Sequence, residues 1–135
     1  MKSVVKNSNL IAQVVDFTAL QNHKIRPSDI DAVLEFDNEV LILMEFKRRG
    51  VKIPSGQKFL LERICDSWHT KKSIVLKVEH CFYDENKNIP IEKTAVTGYY
   101  MNGSWIYYDS FDNGRNIIDV INKLGVLWNC TKCKF

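Results

Sequence analysis

The stretch Ile30–Lys47, IDAVLEFDNEVLILMEFK, constrains this chain more than any other. Ala32-Val33-Leu34 and Val40 to Met44 are apolar, partly β-branched runs, and the Asp37-Asn38 pair between them is turn chemistry, so the segment reads as a β-hairpin. A turn centred on Asn38 sets Asp31 and Glu45 seven residues to either side, facing each other across the strands. Directly opposed residues have Cβ atoms roughly 5 Å apart, where like charges repel. Lys47, two residues beyond Glu45, points to the same face because strand side chains alternate. Such an arrangement makes sense if a divalent cation lies between the two acids; otherwise they form a solvent-facing pair at a sheet edge or are neutralised by Lys47 alone. Glu45 also falls within Leu41–Phe46, a run apolar enough for a central strand buried on both faces, where a carboxylate without a role is costly. Glu35 shares the face of Asp31 but lies nearer the turn and reads as solvated.

The remainder supplies the frame. Gln21–Ser28 reads as a loop, and residues 9–20 fit a short helix or a strand equally. Gly50–Ser55, with Pro54, is a connection, and Ser55 is placed to cap a helix running to about Trp68. Gln57, Leu61, Ile64 and Trp68 fall on one inward stripe of it, and a glutamine there needs a polar partner. Ser73–Cys81 reads as a third long strand in a parallel or mixed sheet. Thr94–Met101 and Ser104–Asp109 flank Asn102-Gly103, a type I′ hairpin signal. Arg115–Leu124 has a helical pattern that Gly125 is placed to end. The sum is an α/β fold, a mixed sheet covered by helices. No repeat, low-complexity run or linker divides residues 1–135, which implies one domain.

Asp31 followed on the next strand by Glu45-Phe46-Lys47 resembles the PD-(D/E)XK nuclease superfamily. Pro27-Ser28-Asp29-Ile30-Asp31, with Gly56-Gln57 opening the following helix, looks like its small phage- and prophage-associated members. Hairpin register selects Asp31 over Asp29 as the acid, because Asp29 would oppose Lys47 and merely pair with it. The resemblance covers about Asp16 to Trp68. It implies a restriction-endonuclease-like core and a phosphodiesterase acting on DNA rather than RNA, leaving 5′-phosphate and 3′-hydroxyl ends. Asp31, Glu45 and the Phe46 backbone carbonyl would hold Mg2+ or Mn2+. Lys47 would orient a water or stabilise the transition state, and Gln57 would help position the water. Asp16 is a candidate further acid without assigned geometry.

Net charge of +3 permits nucleic-acid binding without demanding it. The basic run Arg48, Arg49, Lys52 and Lys58 follows the acids and reads either as phosphate contacts or as a solvated face. Tyr99, Tyr100, Trp105, Tyr107 and Tyr108 read first as packing of a twisted hairpin, because alternation divides them between two faces. No segment has the character of a signal peptide or a bilayer span, which points to the cytoplasm and excludes a membrane partner. The four cysteines are then expected as free thiols, with Cys130 and Cys133 a lone C-x-x-C lacking further ligands at zinc-site spacing. His23, His69 and His80 show no ligand or triad spacing. Two functions follow: a metal-dependent deoxyribonuclease, structure-specific or nonspecific, and a nuclease-like module that binds nucleic acid or protein without cleaving. Cutting both strands together would call for a homodimer.

Overall fold

The computed structural model describes residues 15–135. Its hairpin joins β1 (Ala32–Phe36) to β2 (Val40–Arg48). Asp37 and Asn38 turn the chain at positive φ, a backbone that Asn and Asp adopt more readily than other non-glycine residues. Pairing runs from Phe36 opposite Val40 to Ala32 opposite Met44, so the turn centres on Asn38 as the sequence implies. Glu35 is exposed and accepts the Asn38 N–H, tying down the turn.

From β2 the chain crosses through α1 (Ser55–Ser67) to β3 (Ser73–His80), which lies parallel to β2. Pro54, not Ser55, is the cap residue, and its carbonyl accepts the Lys58 N–H at 2.9 Å. Ser55 already belongs to the helix and so cannot cap it from the extended backbone that a capping side chain requires. β4 (Ala95–Met101) and β5 (Ser104–Tyr107) complete a sheet of order β1-β2-β3-β4-β5, antiparallel except for β2–β3. The Asn102-Gly103 turn has both residues at positive φ, as a type I′ hairpin requires. The architecture of the described residues is therefore α/β, with a five-stranded mixed sheet and two α-helices. Of the stretch 9–20, residues 9–14 lie outside the described residues, and 15–20 form neither helix nor strand.

Strand alternation gives the sheet two apolar faces. Val40, Ile42, Met44, Ile74, Leu76 and Val78 pack with Ile117, Ile121 and Leu124 of α2 (Ile117–Leu127). Leu41, Leu43 and Val75 meet Leu61 and Cys65 of α1. Asn116 caps α2, its side chain accepting from the Ile118 and Asp119 amides. The helix does not stop at Gly125; it runs to Leu127, and Asn129 takes the left-handed conformation beyond it. Gly125 has a different task. A Cβ there would lie 2.3 Å from the Cys133 carbonyl oxygen, so its bare backbone lets the C-terminal tail close over α2. Burial pushes the Cys133 thiol up to about 12, and all four cysteines are unbridged. No helix among the described residues is long and apolar enough to cross a membrane.

Candidate functional site

The α1 face of the sheet is apolar at one end of β2 and β3 and charged at the other. One step past the Ala32–Met44 pair, Asp31 stands across from Glu45. Asp31 Oδ2 accepts the Phe46 N–H at 2.8 Å, which fixes the acid where the β-ladder ends. Glu45 is only 1% exposed. Its Oε1 lies 3.5 Å from Lys47 Nζ, while its Oε2 is buried with no hydrogen-bond partner. Burial first, then the neighbouring Asp31 carboxylate, raise the Glu45 pKa to about 7 against the opposing pull of Lys47. Asp31 is exposed and Lys47 partly so, and these two give the pair its access to solvent.

A second charged pair extends this one across β3. Glu45 is paired with Lys77 and Lys47 with Glu79, so E-x-K on β2 lies beside K-x-E on β3, opposite signs adjacent. Lys77 and Glu79 are both buried, with Lys77 Nζ 2.9 Å from Glu79 Oε2. The Thr97 hydroxyl donates to Glu79 Oε2 at 2.7 Å and the Gly50 amide to Oε1 at 2.8 Å. Burial alone would raise the Glu79 pKa. The Lys77 ammonium and these two donors outweigh it and hold the carboxyl below its ordinary value. Glu79 is thus fully satisfied, whereas Glu45 is not.

The other residues singled out by the sequence divide. Gln57 Nε2 reaches the Asp29 carbonyl at 3.4 Å, bracing the segment that carries Asp31. Asp16 is spent locally on Thr18, whose amide and hydroxyl lower its pKa. Arg48 points to the opposite face from Lys47 and pairs with Glu85 at 3.6 Å. Arg49 pairs with Asp112 at 3.2 Å. Lys52 and Lys58 line a cleft of about 490 Å3, together with Lys77, Ser55 and Tyr107. A second hollow of about 310 Å3 lies over Glu79 and Thr97 and shares Gly50, Lys77 and Tyr107 with the first.

The aromatics complete the wall. Tyr100 is buried, its hydroxyl 2.9 Å from both Asp66 oxygens, and Trp105 Nε1 donates to Glu62 at 2.7 Å. Glu62 and Asp66 of α1 therefore hold the β4–β5 hairpin rather than face solvent alone. Tyr99 packs toward the α2 face, so alternation divides the set as expected. Tyr107 stacks on Trp105 with ring centroids 5.5 Å apart and planes within 5°. Its ring lies over Gly98, where an added Cβ would come 2.5 Å from Tyr107 Cδ1. One cross-strand row thus spans the sheet: Asp31, Glu45, Lys77, Gly98, Tyr107. The pattern of the sequence does not single out Lys77, Glu79 or Thr97. The one signal is a lysine and a glutamate two apart inside the otherwise apolar run SIVLKVEH.

Among the described residues no group of three or more His, Cys, Asp or Glu side chains gathers to hold a metal. Two carboxylates still suit Mg2+ or Mn2+, because Mg2+ keeps several waters and is commonly held by one or two protein carboxylates. The orphaned Glu45 oxygen beside a second acid is a donor set that a hard cation satisfies. The Phe46 N–H points past the end of β1, and its carbonyl lies on the same edge by strand geometry. No family model matches this chain, and neither a curated protein nor a solved structure matches it.

Proposed function

We propose that the chain is a Mg2+- or Mn2+-dependent nuclease with a PD-(D/E)XK-type centre, hydrolysing phosphodiester bonds in DNA in a structure-specific or nonspecific manner. The observation that carries this reading is Glu45 Oε2, buried without a partner next to Asp31 and with Lys47 3.5 Å from its sister oxygen. Asp31, Glu45 and the Phe46 carbonyl would hold the metal. When bound, it would acidify a water and offset charge developing on the phosphate. Lys47, a compact point charge at the exposed side of Glu45, would bind a phosphate oxygen and hold the attacking water in line. Gln57 would keep the Asp31 segment in register and offer its amide to the same water.

One specific observation favours a second reading, a nuclease-like module that binds without cutting. Glu45 is covered almost completely, and in its protonated form it hydrogen-bonds the Asp31 carboxylate, closing the row without a metal.

A panel of labelled single-stranded, duplex, nicked, flapped and four-way DNA, plus RNA, separates the two. Each substrate is incubated with Mg2+, Mn2+ or EDTA, beside Glu45→Ala and Lys47→Ala. Cutting that needs metal and falls at least about 100-fold in both variants is expected. Binding with no cutting of any substrate by the folded protein would sink the nuclease.

A further inference from the structure

The row does not end at the acids. Three strands beyond Glu45 it rises into Tyr107, about half exposed, whose ring is backed by Gly98 beneath and Trp105 alongside. Between them lies the 490 Å3 cleft, whose lining includes Lys52, Lys58 and Lys77 and no acidic side chain. Lys77 is fixed by Glu79, and Lys58 sits over both rings, 5.3 Å from the Trp105 centroid and 6.0 Å from that of Tyr107. A supported aromatic ring beside a hollow that presents Lys52 and Lys58 and no acid matches one ligand chemistry: a planar heterocycle joined to an anion.

We propose that this cleft is a subsite for an unpaired nucleotide of a single strand, its base stacked on Tyr107 and its phosphate held between Lys52 and Lys58. The subsite rests on the reading of Asp31 and Glu45 as a phosphodiester-cleaving centre, and it names the substrate of that centre. Strands in a sheet are about 4.8 Å apart, so the three steps from Glu45 to Tyr107 put the stacked base about 14 Å from the acids. An extended single strand covers that distance with its backbone running along the row. A continuous duplex cannot present a free base face there unless it first unstacks, at a cost of a few kcal/mol. Stacking on an aromatic ring accepts any base, so the subsite selects strand state and not sequence. The substrates are therefore single strands, flaps, gaps and frayed ends.

Binding is measured apart from cutting, with the full chain carrying Glu45→Gln, in EDTA, against labelled oligothymidylate and the same strand annealed to its complement. The single strand should bind at least about tenfold tighter than the duplex. Tyr107→Ala should weaken it by about tenfold and Tyr107→Phe should restore it, because the ring and not the hydroxyl stacks. Lys52→Ala, in an exposed loop, is the variant least able to disturb folding and should weaken both strands' binding through the phosphate. Equal affinity for single strand and duplex, or an unchanged affinity in Tyr107→Ala, overturns the subsite. The two readings fail separately. Tyr107-dependent binding with no cutting in Mg2+ keeps the subsite and removes the nuclease. Glu45-dependent cutting of single strands with unchanged KM in Tyr107→Ala does the reverse.

Discussion

At the scale of single residues, Glu45 and Glu79 sit on neighbouring strands, two residues apart in register, and are treated oppositely. Glu79 receives an ammonium, a hydroxyl and an amide; Glu45 receives one lysine and faces another acid. The signs of their effects on stability follow. Glu45 has its pKa raised from an ordinary 4.5 to about 7, so between these values the folded chain binds more protons than the unfolded one. Its contribution is then largest below pH 4.5 and is lost as the pH rises through 7. Glu79, held below its ordinary value, contributes above that value and loses its contribution as acid protonates it. In EDTA the stability of the chain should therefore decline from pH 5 to pH 8, and Glu45→Gln should remove most of that decline. The glutamine should be stabilising at pH 8 by about 1–3 kcal/mol, since one pKa unit corresponds to about 1.4 kcal/mol and the open Asp31 side screens part of it. Adding Mg2+ at pH 8 should raise the melting temperature of the native chain and leave Glu45→Gln nearly unmoved. A thermal melt series in pH and Mg2+ reads both; a flat profile for the native chain would mean that Glu45 is not the strained acid described.

Elements decide how far the site is legible in the sequence. Hairpin register is set by a local turn, so Asn38 fixes Asp31 opposite Glu45, and Asn102-Gly103 fixes Gly98 opposite Tyr107. Both ends of the row can be written down from the residues alone. The middle cannot. Glu45 meets Lys77 through the parallel β2–β3 pairing, whose register depends on how α1 packs across the crossover and on no local turn. For that reason the Lys77–Glu79 pair carries no positional meaning until the fold is known. Gly125 shows the same limit: a glycine at the end of an apolar helical run is a helix stop by local rules, and only the tail folded against it reveals a close approach. Its replacement tests that directly. Gly→Ala inside a helix normally stabilises by up to about 1 kcal/mol. Gly125→Ala should instead destabilise by about 1–3 kcal/mol in urea unfolding, because its methyl would overlap the Cys133 carbonyl. A stabilised variant would mean that the tail is not seated on α2.

For the molecule as a whole, the question is which of its 19 lysines and arginines are free to meet phosphate. Among the described residues Arg48 and Arg49 have Glu85 and Asp112, Lys72 has Glu39, Lys132 has Asp37 and the buried Lys77 has Glu79, so these five are locally neutralised. The cleft presents Lys52 and Lys58 with no acid in its lining. A net charge of +3 spread in this way favours a short, localised electrostatic contact over a broad one. Each phosphate neutralised on a single strand contributes about −0.7 to the slope of log K against log salt, so two contacts give a slope of about −1.4. Lys52→Ala and Lys58→Ala should each flatten the slope by about 0.7. Arg48→Ala should leave it unchanged, since that side chain projects from the opposite face of the sheet. A slope much steeper than about −1.4 that flattens in Arg48→Ala would place the nucleic acid across the other face and separate it from the row of Asp31, Glu45 and Tyr107.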